Sequence, residues 1–109
     1  MSATNKVQLV GYVGTNPELV ELKSGQYKKA IFSLATHEYY KKDEEWFNIT
    51  TWHKLVGWGK TANKICDSIK KGTKVNITGR VSNRRVEGKQ GPFMLSEITV
   101  SSIKIEPNK

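Results

Sequence analysis

Only one stretch of this chain repeats apolar residues at helical spacing, while almost everything else alternates them at period two. Ala62, Ile65, Cys66 and Ile69 recur at i, i+3, i+4 and i+7, which marks one face of a helix; Lys70 and Lys71 fall in its last turn and Gly72 just beyond it. A period of two sends successive side chains to opposite faces of a strand. A chain patterned in this way folds as a sheet with one helix as an accessory.

Val7, Leu9, Gly11 and Val13 alternate with Lys6, Gln8, Val10 and Tyr12, a first strand that ends near Gly14 before the turn Thr15-Asn16-Pro17. A short strand from Glu18 to Lys23 leads into the turn signal Ser24-Gly25. Lys28 to Thr36 reads as a long strand with Ala30, Phe32 and Leu34 toward the core, and the charged segment from His37 to Glu45 reads as a projecting loop. A strand from Trp46 to Trp58 follows, with Phe47, Ile49 and Leu55 on its apolar side.

After the helix, Val75, Ile77, Gly79 and Val81 alternate with Lys74, Asn76, Thr78, Arg80 and Ser82. Arg84 to Gly91 reads as a hairpin tip, and a last strand runs from Pro92 to about Ile105. With 109 residues the chain forms one domain, 1–109. Five long strands with one α-helix between strands 3 and 4 give an all-β class and the order of the OB-fold, a Greek-key barrel that binds oligonucleotides and oligosaccharides.

Strict alternation places Trp52, Lys54, Val56 and Trp58 on one strand face, opposite Leu55. Burying that face would hide two indole N–H groups and an ammonium. Left open, it gives bases rings to stack on and phosphates a cation, the combination used by single-strand binders without sequence preference. Lys+Arg number 18 against 10 Asp+Glu, a net charge of +8, which favours a polyanionic partner. Lys28, Lys54, Arg80, Arg84, Arg85 and Lys89 stand on strands or hairpins around the groove. Trp46 shares the parity of Trp52 at the strand entrance, where it serves either rim contact or local packing.

Other chemistries find little support. Cys66 is the sole cysteine, so the chain forms no internal disulfide and no thiolate metal site, which fits a reducing, cytoplasmic setting. No run approaches the roughly 18 apolar residues of a membrane span. Asp43-Glu44-Glu45 is a solvated acidic run, neither His37 nor His53 has a catalytic spacing, and neither cofactor nor metal is expected.

The residues also resemble the bacterial single-stranded DNA-binding proteins, from Asn5 to about Ile105. The resemblance rests on Asn5-Lys6-Val7, Gly14-x-x-Pro17-Glu18, Phe32-Ser33-Leu34-Ala35-Thr36, Trp52-His53-Lys54, Gly59-Lys60 and Lys71-Gly72-Thr73-Lys74-Val75, in order and approximate spacing. It implies a homotetramer that wraps single-stranded DNA in replication, recombination and repair, cytoplasmic and nucleoid-associated.

By the same resemblance Trp52 and Trp58 fall at base-stacking positions, and Tyr40 where the family commonly has a stacking tryptophan. His53, with Lys6 and Gln8, falls at subunit contacts; His53 alternatively reads as a satisfied core histidine. Val86 stands where another stacking tryptophan is common. The family's acidic C-terminal tail has no counterpart before Glu106-Pro107-Asn108-Lys109, so tail-mediated partners are not expected. The alternative reading is an accessory replication protein of the same fold, or an RNA- or tRNA-binding module.

Overall fold

The computed structural model describes residues 3–107; Asn108 and Lys109, named above with the family's C-terminal tail, lie outside them. The elements are β1 (Val7–Val13), β2 (Glu18–Leu22), β3 (Tyr27–Lys42), β4 (Glu45–Trp58), α1 (Lys60–Ser68), β5 (Lys74–Gly88) and β6 (Gly91–Ile105). The sheet order β1-β5-β6-β4-β3-β2, together with a β1–β3 pairing, closes five strands into a barrel and leaves the short β2 beside β3. All pairings are antiparallel except β4–β6, which run parallel at Leu55–Ile98 and Val56–Thr99.

The expected core parity of β3 holds, since Ala30, Phe32 and Leu34 are buried with Leu55, Val75 and Ile77. On β6 one parity does not suffice. Thr78 pairs Ser102 while Gly79 pairs Val100, leaving Ser101 as an extra residue. This bulge switches the faces, so that Ile98, Val100 and then Ile103 all reach the core. Asn5 ties the entering chain to β5: its Oδ1 accepts from the Val81 N–H at 2.9 Å and its Nδ2 donates to the Val81 carbonyl at 2.7 Å.

The helix is shorter than the sequence predicts. Ala62 and Ile65 face the core as expected, but Ile69 is already extended (φ −127°, ψ 156°) and its N–H caps the helix on the Ile65 carbonyl. Lys70 and Lys71 therefore lie in the following turn, not in the last turn of α1. There the Lys71 N–H donates to Asn16 Oδ1 at 2.8 Å, and Gly72 takes a φ of 95°.

The segment His37–Glu45 is not a loop. Strands β3 and β4 stay paired out to Lys42–Glu45, and only Asp43 and Glu44 turn, both at positive φ (51° and 67°), as a two-residue type I′ connection requires. Strands β5 and β6 likewise stay paired to Gly88–Gly91. Because β4 and β6 are parallel where they meet, both hairpin arms leave the barrel at the same end, in keeping with the 56 × 38 × 37 Å extents. Phe47 and Ile49 lie on the first arm beyond the end of the core, so both are exposed despite their core parity.

Candidate nucleic-acid interface

Register sets the outer face of the β3–β4 pair: Trp58 opposite Lys29, Val56 opposite Ile31, Lys54 opposite Ser33, Trp52 opposite Ala35 and Thr50 opposite His37. Trp52 is 62% exposed and Trp58 45%. Val56 has their parity but is buried. At that level β4 has neighbours on both edges, and Ile31 of β3 and Thr99 of β6 flank its side chain. The open platform is therefore two separate rings with Lys54 between them, six residues or about 20 Å apart at strand rise.

Each ring has its own support. A Cβ added at Gly14 would lie 2.3 Å from Cζ3 of Trp52, so the indole lies against the glycine where the β1 backbone leaves the barrel. Lys29 Nζ stands 5.6 Å from the centre of the Trp58 ring, within cation–π range. Lys54 lines two hollows. One, of about 260 Å³, lies between the arms and is lined by Trp52, His53, Val81, Ser96, Glu97 and Ile98. The other, of about 350 Å³, is lined by Thr15, Asn16, Glu18, Ile31, Phe32 and Ser33. A strand crossing this face would pass from hollow to hollow over Lys54.

The first arm divides its aromatics between two faces. Trp46, opposite Lys41, and Tyr39, opposite Asn48, share the parity of Trp52 and are largely exposed. Tyr40 has the opposite parity and is stacked on Phe47, with ring centres 5.3 Å apart and planes at 20°. Register thus keeps Tyr40 apart from Trp52 and Trp58, and puts Tyr39 where their parity continues. His37 belongs to β3 and meets Thr50 Oγ1 at 3.0 Å.

Among the cations, Arg80 and Arg84 share one face of β5, and through Thr99 that face continues to Val56 of β4. Arg84 Nε reaches Glu97 at 3.4 Å, Arg85 points the other way toward Glu87 at 3.2 Å, and Lys89 sits in the turn at the tip. Lys28 has core parity at the barrel's rim, half-buried, and pairs with Glu21 at 3.9 Å. The neighbour Lys29, which the sequence reading passed over, is the one beside Trp58; counting parity from Ala30, Phe32 and Leu34 would have found it. The Arg85–Glu87 pair is solvent-exposed on both sides and worth about 0–1 kcal/mol, little enough for a phosphate to displace it, whereas the Glu97 carboxylate that holds Arg84 is only 9% exposed.

The residues assigned to subunit contacts are dispersed. His53 is half-buried and its Nε2 lies 2.9 Å from Thr36 Oγ1. Gln8 Nε2 donates to Asn76 Oδ1 at 3.2 Å on the outer face of the β1–β5 pair, and Lys6 is exposed just before β1. Strand β1 pairs β5 over Val7–Tyr12 but β3 only at Tyr12 and Val13, so one edge from Val7 to Gly11 has no partner strand among the described residues. Among those residues no three His, Cys, Asp or Glu side chains gather as metal ligands, and no helix is long and apolar enough to cross a membrane. Burial, followed by the neighbouring Asp67, pushes the Cys66 thiol above its ordinary pKa.

Residues 4–106 match the single-strand binding protein family. The chain is 42% identical over 83 residues to single-stranded DNA-binding protein 1 of Chlorobaculum tepidum, covering 73% of this chain and 49% of that protein. It is 34% identical over 107 residues to single-stranded DNA-binding protein 2 of a Nostoc species, covering 96% and 80%. Among solved structures it is similar to the Plasmodium falciparum SSB in complex with ssDNA, with a TM-score of 0.85, 29% identity and 98% of each chain covered. The chain spans about half the length of the Chlorobaculum relative.

Proposed function

The chain belongs to the single-strand binding protein family, and on that premise we propose that it binds single-stranded DNA without sequence preference and shelters strands exposed in replication, recombination and repair. One observation carries this reading: two tryptophans stand exposed on the same face of β4 with Lys54 between them. Bases leave their own stack for Trp52 and Trp58, and Trp46 with Tyr39 extends that path along the first arm, while Tyr40, stacked on Phe47, offers a ring on the arm's other face. Lys54, Arg80, Arg84 and Lys89, with Lys29 beside Trp58, follow the backbone phosphates on this face, while Arg85 and Lys28, turned toward Glu87 and Glu21, add to the positive field around it. Every base has a π-face, so stacking at roughly 1–3 kcal/mol per ring gives affinity without readout.

The mode is passive and stoichiometric: the protein binds and performs no bond chemistry on the strand. Residues 1–109 act as one binding domain in the cytoplasm. Assembly is homotetrameric, with His53, Lys6 and Gln8 near the contacts, and the unpartnered edge of β1 supports strand-to-strand association between copies.

The test is a tryptophan-fluorescence titration with poly(dT) at several salt concentrations. Quenching is expected, with a log–log salt slope of roughly −4 if about six phosphates are neutralised, at about −0.7 per contact. A salt-insensitive complex, or duplex DNA outcompeting poly(dT), contradicts the proposal. Monomers in light scattering at working concentration remove the tetramer and leave the stacking intact.

A further inference from the structure

The second arm departs most from the family pattern, because Val86 stands where a stacking ring is common. The β5–β6 register puts Phe93 directly across from Val86, with Arg84 opposite Leu95 on the same face. In an antiparallel pair such partners carry side chains that stand side by side. We propose that Phe93 is the base-stacking ring of the second arm, supplied across the ladder from the strand opposite Val86.

Four features of the arm support this. Phe93 is 49% exposed, far beyond the end of the core. Its ring is seated rather than free: a Cβ at Gly88 would lie 2.9 Å from Cε1 and 3.1 Å from Cδ1, so the missing side chain of Gly88 gives one edge of the ring a bed. Its face is the right one, since counting back along β6 from Thr99 by twos reaches Glu97, Leu95 and Phe93, and Thr99 pairs with Val56 on the Trp52 face of β4.

Its end of the barrel is also right. The two strands are parallel at that pair, and Trp52 lies four residues back along β4 while Phe93 lies six back along β6. Both rings therefore lie on the tip side of that pair, one on each arm, Trp52 lining the hollow between the arms and Phe93 lying farther out, in a hollow of about 190 Å³ with Arg85, Pro92 and Met94. Arg84, two pairs along the same face, and Lys89 at the tip supply phosphate partners on either side of the ring.

The inference rests on the single-strand reading above, and the test separates the two. Phe93→Leu keeps an apolar partner for Val86 but removes the ring. It is expected to weaken poly(dT) binding by about fivefold or more at low salt, the lower bound for one stacked base, with unchanged thermal unfolding. Phe93→Trp is expected to bind at least as tightly as wild type, and Val86→Trp in the Phe93→Leu background to recover most of the loss, because the ring returns to the same face. Photocrosslinking to a 5-iodouracil-substituted thymidine oligonucleotide is expected to map to Phe93. Wild type and Phe93→Leu binding alike, while Trp52→Ala binds weakly, overturns this inference alone. A wild type that neither binds nor quenches overturns both.

Discussion

Replacing Gly14 by alanine tests the platform without altering any ring. The added Cβ would lie 2.3 Å from Cζ3 and 2.9 Å from Cη2 of Trp52, and 2.9 Å from Ser33 Oγ. Carbon contacts settle at about 3.5–4.0 Å, so the ring edge must retreat by about 1.2 Å. Trp52 is 62% exposed and can swing outward, and the φ of Gly14 is not positive, so the cost to folding stays within about 0.5 kcal/mol. Gly11→Ala makes the contrast. There the Cβ meets the backbone carbonyl oxygen of Ala35 inside the barrel, where nothing can swing away, and the expected loss is about 1–3 kcal/mol of stability. With a whole stacked ring worth about 1–3 kcal/mol, a ring lifted from its seat should forfeit roughly a third of that, a two- to fivefold loss of poly(dT) affinity. Titration alongside Trp52→Ala and thermal denaturation reads both quantities. Gly14→Ala binding like wild type while Trp52→Ala binds weakly refutes the seating argument, as does Gly14→Ala unfolding as early as Gly11→Ala.

Further outcomes follow from the charges, the arm turn and the thiol. Lys29→Ala is expected to weaken binding and flatten the salt slope by about 0.7, whereas Lys28→Ala, whose ammonium already faces Glu21, should change the slope less; equal effects would contradict the parity assignment. Glu97→Gln frees Arg84 from its 3.4 Å partner and removes a carboxylate from the hollow, so affinity at low salt should rise about twofold; a fall in affinity would mean that Glu97 positions Arg84 for the strand. Asp43→Asn with Glu44→Gly relieves two side chains at positive φ and should stabilise the first arm by about 0.5 kcal/mol, read as a higher melting temperature. The folded chain holds the Cys66 proton to higher pH than the unfolded chain, so stability should decline as pH rises past the thiol's ordinary value of about 8.5. Cys66→Ala should remove that part of the decline, and melting curves on either side of that pH check it.

What could be read from the sequence was whatever depends on parity close to the core. Ala30, Phe32 and Leu34 alternate because each is buried against the same interior, and the rule that buries them also left Trp52 and Trp58 outside. The rule failed where burial stopped supplying its cause. Along the first arm, Phe47 and Ile49 keep the alternation of Leu55 with no core beneath them, and the charged residues from His37 to Glu45 looked like a loop because an arm solvated on both faces has no apolar side to show. The end of α1 was misplaced for a related reason: Ile69 fits the helical spacing, but it reaches the core as extended chain.

The parity of Val56 was legible and its burial was not, because that burial depends on a parallel contact with a strand some forty residues away. That contact explains more than one side chain. A β4–β6 pairing that ran antiparallel would send the two arms to opposite ends of the barrel, and Trp52 would have a hairpin on one side only. The parallel pairing instead places both arms at one end, so that Lys54, Glu97 and Ile98 line a single hollow and a strand leaving Trp52 meets cations from both hairpins. No local pattern could reveal this, since the residues that make it possible, Val56 and Thr99, carry no charge and no ring.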